Sequence, residues 1–416
     1  MTELFINATF WERMLEVWSV LAAFWTVWLP VLLGTLFVSS WKRYVRAKFI
    51  AAMDAKLLEI RIPRDIAKSP AAMEVVLNAL YQTTVGDLLK VFLRGNTRAW
   101  YSLEIASIGG AVKFYVWVPN KYRNIVESQL YSQYPSIEIH EAEDYTRDVT
   151  FDFRVNNMHG SQLTLTKPDP YPIKTYVDYG LDKDPKEEYK VDPLTAVIEF
   201  MGSVKPQEQA WVQILIQAHK EEGIKEWRIK KKPAWKDAAK KEIKKIIKES
   251  VFAPDPSDVN ARKLDYSKLS PAEKDAIMAI ERSIAKHAFD TMIRIIYFAP
   301  KEAYNSGMKP ALVQMFRSFN SLHLNGFKQK WGPVPDYPWQ DFKKFREKKN
   351  KTKLLDAYKR RSFFHPPYLN WKSKPFILTT EELATIFHPP GEVSKTPTFE
   401  RILSRKSEAP ANLPVG

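Results

Sequence analysis

The chain has 416 residues, 45% of them hydrophobic and 13% aromatic, which excludes a disordered polymer and leaves room for two or three folded domains. It has no cysteine, which excludes disulfides and thiolate metal sites. The net charge of +15 is concentrated: residues 219–250 hold 12 Lys/Arg against 6 Asp/Glu and residues 327–361 hold 12 against 4, so an electrostatic partner is expected at those two stretches.

Taken in chain order, residues 1–16 form a short acidic start with Glu3, Glu12 and Glu16 against Arg13. No charge then occurs until Lys42, and residues 17–41 read VWSVLAAFWTVWLPVLLGTLFVSSW. That length exceeds the ~20 residues a helix needs to cross the hydrocarbon core, so a single transmembrane helix is expected over 17–41. Pro30 and Gly34 are tolerated in such helices, and Trp41 stands at the interfacial position. A signal peptide would want a basic start and a shorter apolar core. Lys42, Arg43, Arg46 and Lys48 open a basic juxtamembrane segment, residues 42–56. Positive charge stays on the cytoplasmic side, which places the N-terminus outside and the main body in the cytoplasm, at the inner membrane.

Residues 57–150 carry alternating apolar and polar positions in LLEIRIP (57–63), WYSLEIASI (100–108), AVKFYVWV (111–118) and SIEIHEAE (136–143), the period of strands. Helical patterns fall at 69–82, opened by Ser69 and Pro70, and at 120–135, and Gly109-Gly110 reads as a hairpin turn. The order β-α-β-β-α-β is that of the ferredoxin-like split βαβ sandwich. Residues 151–330 are expected to repeat it, giving an α+β protein with tandem ferredoxin-like modules. Strands are expected at 171–179, 208–220 and 288–300, and helices at 192–202 and 309–322. A helical insertion, 221–287, separates the two central strands; Trp235, Ile243 and Ile247 mark the apolar stripe of one of its helices, and Ile277, Ile280 and Ile284 that of the other. Residues 331–387 form a basic, mostly helical segment, with a helix near 339–360 and a capping box made by Thr379 and Glu382. Residues 388–416, with five prolines and scattered charge, have the composition of a linker.

Catalytic signatures do not emerge. No phosphate-cradling G-x-x-x-x-G-K-[ST], no G-x-G-x-x-G, no H-E-x-x-H and no G-x-S-x-G occurs, and no enzyme activity, cofactor or metal is expected. His365 and His388, each in the context HPP, read as turn residues before proline-stiffened bends. Glu138, Glu141, Glu143 and Asp144 read as alternation along an exposed strand edge. The basic side chains are the candidate contacts: Lys230, Lys231, Lys232, Lys240, Lys241, Lys244 and Lys245 in the insertion, and Lys343, Lys344, Arg346, Lys348 and Lys349 further on. A solvated helix face, attraction to anionic lipid and contact with nucleic-acid phosphate all account for them. Trp227, Trp235, Trp331 and Trp339 lie among these lysines, a mixture that single-strand-binding platforms use.

The strings LLEIRIPRDIAKSPAAMEVVLNALY (57–81), YSLEIASIGGAVKFYVWVPNKYRNIVESQLYSQYPSIEIHEAEDY (101–145) and ELATIFHPPGEVSKTPTFERILSRKSEAPANLP near the end resemble a membrane-linked N-terminal region. It is the region, itself a domain of unknown function, found in type IV secretion or conjugative-coupling-like ATPases of candidate-phylum bacteria. The resemblance spans roughly 45–415. In the look-alikes the proline-rich tail leads into a DNA-translocating motor. The resemblance therefore implies a scaffold or adaptor coupled to a translocation ATPase on a separate chain, self-associating if that motor is a ring. A membrane-tethered nucleic-acid-binding protein working without a motor is the alternative.

Overall fold

The computed structural model describes residues 14–16, 18–19, 22–63, 68–183, 191–220, 235–251, 269–334, 339, 341–365 and 374–391. The chain divides into two compact units, Met1–Met53 with Gly86–Thr97, and Asp54–Val85 with Arg98–Gly416. Helices α1 (Trp25–Ala51) and α3 (Leu88–Arg94) belong to the smaller unit, and α2 (Ala71–Ala79) to the larger.

The larger unit is built on one sheet. Its first half contains β1 (Ala55–Arg61), β2 (Trp100–Ile108), β3 (Ala111–Pro119), α4 (Arg123–Gln133) and β4 (Glu138–Ala142). Gly109 and Gly110, at φ 62° and 91°, supply the two left-handed residues that a two-residue hairpin between β2 and β3 demands. The second half contains β5 (Asn156–Leu165), α5 (Thr195–Gly202), β6 (Gln209–Ala218), α6 (Trp235–Val251), α7 (Pro271–Ile284), β7 (Ala288–Pro300), α8 (Met308–Gln314) and β8 (Phe327–Trp331). It is followed by α9 (Phe345–Lys359), β9 (Phe376–Thr379) and α10 (Thr380–Ile386). Eight strands run in the order β4-β1-β3-β2-β6-β7-β5-β8, and β9 pairs with the start of β7. Every pairing is antiparallel. The two halves meet at β2 and β6, from Trp100 opposite Gln217 to Ile108 opposite Gln209.

Both faces at the centre of the sheet are covered, so β2 and β6 are buried nearly throughout rather than on alternate residues. One face carries Leu58, Leu103, Ile105, Phe114, Ile214 and Ile293, and it holds the main core with α2, α4, α5 and α10. The other carries Tyr115, Trp211, Met158 and Ile296 beneath Leu354, Leu355 and Tyr358 of α9. Helices α6 and α7 pack through Ala239, Ile243 and Ile246 against Ile277, Ile280 and Ile284. Trp235 is buried on α6 as expected, and Ile246 rather than the expected Ile247 is buried further along the helix. Helix α7 opens with a capping box in which the Glu273 amide donates to Ser270 Oγ at 3.3 Å.

One expected strand needs correction. Residues 171–179 form turns; the first strand of the second half is β5, upstream. The alternation in YPIKTYVDY has another origin. Ile173 and Tyr176 turn into the core, while the Thr175 and Tyr176 region is pinned to α10 by Thr175 Oγ1 donating to Glu381 Oε1 (2.7 Å) and the Tyr176 amide to Thr385 Oγ1 (3.0 Å). The capping box of Thr379 and Glu382 forms as expected, and the Glu382 carboxylate also accepts the Ile173 amide at 3.0 Å.

Candidate functional site

Three central strands each place one polar residue in the middle of an apolar run: Glu104 on β2, Gln213 on β6 and Arg294 on β7. The register sets Glu104 opposite Gln213 and Gln213 opposite Arg294, so the three line up across the sheet on the face under α9. All three are fully buried. Buried polar groups must find partners, and here they hold the C-terminal end of α9. Arg294 donates to the carbonyls of Ala357 (3.0 Å) and Ser362 (2.7 Å), and Gln213 Nε2 donates to that of Tyr358 (3.1 Å). The Ala357 and Tyr358 carbonyls belong to the last turn of the helix, at the negative pole of its dipole, and that of Ser362 lies just past its end. Burial pulls the Arg294 guanidinium down to about 9. Glu104 receives Arg361, whose Nε lies 2.9 Å from Oε1 and whose Nη2 lies 3.2 Å from Oε2; Arg361 also reaches Asp144. Burial pulls the Arg361 guanidinium down, but the Glu104 and Asp144 carboxylates outweigh it and leave it above its ordinary value. Tyr145 donates to Glu104 at 2.9 Å and stacks on Tyr115, and burial pushes its phenol well up.

This lattice fixes α9, and α9 displays the basic surface. Lys351, Leu354, Leu355 and Tyr358 face inward at helical spacing, while Lys348, Lys349 and Lys353 face solvent. Gly160 on β5 makes the close approach possible, because a Cβ there would run into the Leu354 side chain. Lys351 is buried beside Glu347 (2.6 Å) and Asn157 (2.8 Å); burial holds its amine below the ordinary lysine value despite that carboxylate. At the N-terminal end the Asp341 carboxylate accepts the amides of Arg346 and Glu347, both at 2.7 Å, which caps the helix and favours its positive pole. Lys343 and Lys344 adopt φ 52° and 57°, a left-handed conformation that costs non-glycine residues about 1–2 kcal/mol each. The result is a tight turn with Phe342 at 82% exposure and Phe345 at 67%, close in sequence to Trp339 at 78%. Exposed rings between cations match the combination that stacks bases and neutralises phosphates.

Of the residues expected to make contacts, Lys343, Lys344, Arg346, Lys348 and Lys349 are all exposed on this turn and the first turns of α9. Lys348 leans over the Phe153 ring, 4.3 Å from its centroid. Lys240, Lys241, Lys244 and Lys245 are exposed on α6, where Trp235 is buried and offers no ring to a ligand. Lys230, Lys231 and Lys232 lie outside the described residues. Lys42, Arg43, Arg46 and Lys48 sit on the last turns of α1, which continues without a break past Trp41 to Ala51. The lattice of Glu104, Gln213, Arg294 and Arg361 escaped the sequence reading. Its signal was one polar residue at the centre of each of three apolar strands.

Two polar readings change. His388 is a buried anchor rather than a turn residue: its Nδ1 lies 2.8 Å from the Ala384 carbonyl and its Nε2 lies 3.1 Å from Asp192. Asp144 is half-buried against Arg361 rather than part of an exposed edge, whereas Glu138 and Glu141 are exposed as expected. Among the described residues, no group of three or more His, Asp or Glu is placed to hold a metal ion.

The fold and this surface define an α+β protein with a nine-stranded antiparallel sheet that carries a fixed basic helix on one face. The chain belongs to the family described as domain of unknown function DUF8128, which matches residues 48–401. No curated protein matches it.

Proposed function

We propose that this chain is a membrane-anchored, non-enzymatic scaffold, an adaptor of a type IV secretion-like or DNA-transfer system that couples to a translocation ATPase. The observation that carries the anchor is α1. Val27, Trp28, Val31, Leu32, Leu33, Leu36 and Phe37 are all exposed, and at 100° per residue they point in every direction around the helix. A helix apolar on its whole circumference belongs in a core or in lipid. Among the described residues no helix is long and apolar enough to cross a membrane. The described helix begins at Trp25, and only 17 uncharged residues separate that point from Lys42, short of the ~20 required. The expected span begins at Val17, and residues 17, 20 and 21 lie outside the described set. The basic end of α1 orients the body toward the cytoplasm at the inner membrane.

The platform reading draws on strand order. In each half a β-α-β-β-α-β sequence is laid out with its first strand between the third and the fourth, as β4-β1-β3-β2 and β8-β5-β7-β6. This favours tandem ferredoxin-like modules joined edge to edge, with α6 and α7 inserted in the second. The coupling to an ATPase, and self-association around it, rest on the resemblance of the quoted strings. The second reading, a tethered nucleic-acid-binding protein without a motor, is favoured by the exposed rings and cations around Phe342 and Lys343. A pull-down from native membranes separates them, comparing the detergent-solubilised full chain with one lacking residues 388–416. A translocase-type ATPase retained only by the full chain supports the adaptor. Recovery of none with either chain overturns it and leaves the nucleic-acid reading.

A further inference from the structure

We propose that α3 is an interfacial helix that lies in the headgroup layer of an anionic membrane beside the base of α1. The inference rests on the anchor reading above and adds a second membrane contact, made by residues 86–97 of the same compact unit.

Three observations carry it. First, α3 is attached to the foot of α1, its partner in the same compact unit. Trp41 Nε1 donates to the Phe92 carbonyl at 3.0 Å, and Gly95, at φ 70°, ends α3 where a Cβ would run into the backbone of Val45 and Arg46. The Trp41 ring, stacked on Phe37, stands where an interfacial belt residue would. Second, α3 turns its apolar side outward. Leu89, Phe92 and Leu93 are 71%, 36% and 57% exposed, at the i, i+3, i+4 spacing of one face. Third, the charge around it has one sign. Lys42, Arg43, Arg46 and Lys48 on α1 join Lys90 and Arg94 on α3, and Asp87, which pairs with Lys90 at 3.5 Å, is the lone acid in residues 42–48 and 86–97. An apolar strip flanked by cations is the chemistry of an anionic bilayer surface: the strip enters the boundary between headgroups and acyl chains, and the cations meet lipid phosphate.

The absence of cysteine in the chain makes the test clean. Leu89→Cys, Lys90→Cys, Leu93→Cys and Leu33→Cys variants of the full chain are labelled with an environment-sensitive fluorophore. They are reconstituted in vesicles of mixed phosphatidylcholine and phosphatidylglycerol that carry nitroxides at shallow or deep positions. At positions 89 and 93 the label is expected to shift to the blue, lose quenching by aqueous iodide and be quenched by the shallow nitroxide. At position 90 it stays accessible to iodide, and at position 33 it is quenched by the deep nitroxide. If the labels at 89 and 93 are as open to iodide as that at 90 while the label at 33 is quenched by lipid, α3 is not interfacial although the anchor stands. Protection at 89 and 93 without lipid quenching assigns the face to protein, a second copy included, and also overturns the proposal. Loss of lipid quenching at 33 removes the anchor itself.

Discussion

Arg361 and Glu104, 257 residues apart in the chain, form a buried bidentate pair with N–O distances of 2.9 and 3.2 Å, and through it the end of α9 is bound to the middle of β2. Such a pair stabilises little over an apolar substitute, but removing one partner strands the other charge in the core, at a cost of about 3–5 kcal/mol. Arg361→Met is therefore expected to lower the thermal unfolding midpoint sharply, and Glu104→Leu in the same chain to restore much of the loss. A double-mutant cycle followed by tryptophan fluorescence reads the coupling. Additive losses would mean that α9 is held elsewhere.

Gly160 and Leu354 provide the second hold on α9. The missing Cβ is what lets the buried Leu354 side chain rest on β5. Gly160→Ala is expected to cost about 1–3 kcal/mol by overpacking. Leu354→Ala alone opens a cavity and costs about 2–5 kcal/mol. Together the two should cost less than their sum, since the new methyl enters the space that the leucine leaves. Unfolding midpoints of the three variants check it.

A pH dependence follows from His159 on β5. Burial pulls its imidazole down to about 4, and the nearby Lys309 and Lys351 add to the effect. The folded state thus binds fewer protons than the unfolded one between about 4 and the ordinary 6.5. The stability this group contributes is fully present above 6.5 and is lost as pH falls toward 4, by about 3 kcal/mol across the window. His159→Gln should flatten the acid limb of the stability curve measured between pH 7 and pH 4 relative to wild type. An unchanged acid limb would show that His159 takes up its proton without unfolding the sheet.

Much of the first half could be read in advance because its strands alternate and its turns carry their own chemistry. Gly109-Gly110 admits little but a hairpin, and the first-half strands and helices fall within a few residues of the expected positions. The second half was harder for a physical reason. β5 reads NNMHGSQLTL, with glycine, serine and asparagine where a strand usually carries branched residues; the glycine is there because α9 presses against it and leaves no room for a Cβ beside Leu354. The segment 171–179 alternates for the opposite reason: it is a turn region tied to α10 by side-chain hydrogen bonds. Of the candidate surface, the cations were plain in the sequence. The left-handed turn at Lys343 and Lys344, which sets Phe342 outward, was not, since nothing local in FKKFREKK requires it.

That turn makes the two basic surfaces distinguishable. On α6 the lysines are exposed but Trp235 is buried, so this face can attract phosphate and stack nothing that it displays. Around Phe342 both are on offer. Charge reversal of Lys343, Lys344, Arg346, Lys348 and Lys349 to Glu should weaken binding of a labelled single-stranded oligonucleotide and flatten its salt dependence, by a slope of about 0.7 for each phosphate no longer neutralised. Phe342→Ala with Trp339→Ala should leave that slope in place and weaken binding by about 1–3 kcal/mol for each base that was stacked. Lys240, Lys241, Lys244 and Lys245 changed to Glu should likewise weaken binding and flatten the slope, with no stacking contribution to lose. Fluorescence anisotropy across a salt series reads all three. A ring-deleted variant that binds as wild type does would reduce the turn to a cationic surface, and unaltered binding after both charge reversals would leave the lysines as solvated helix faces.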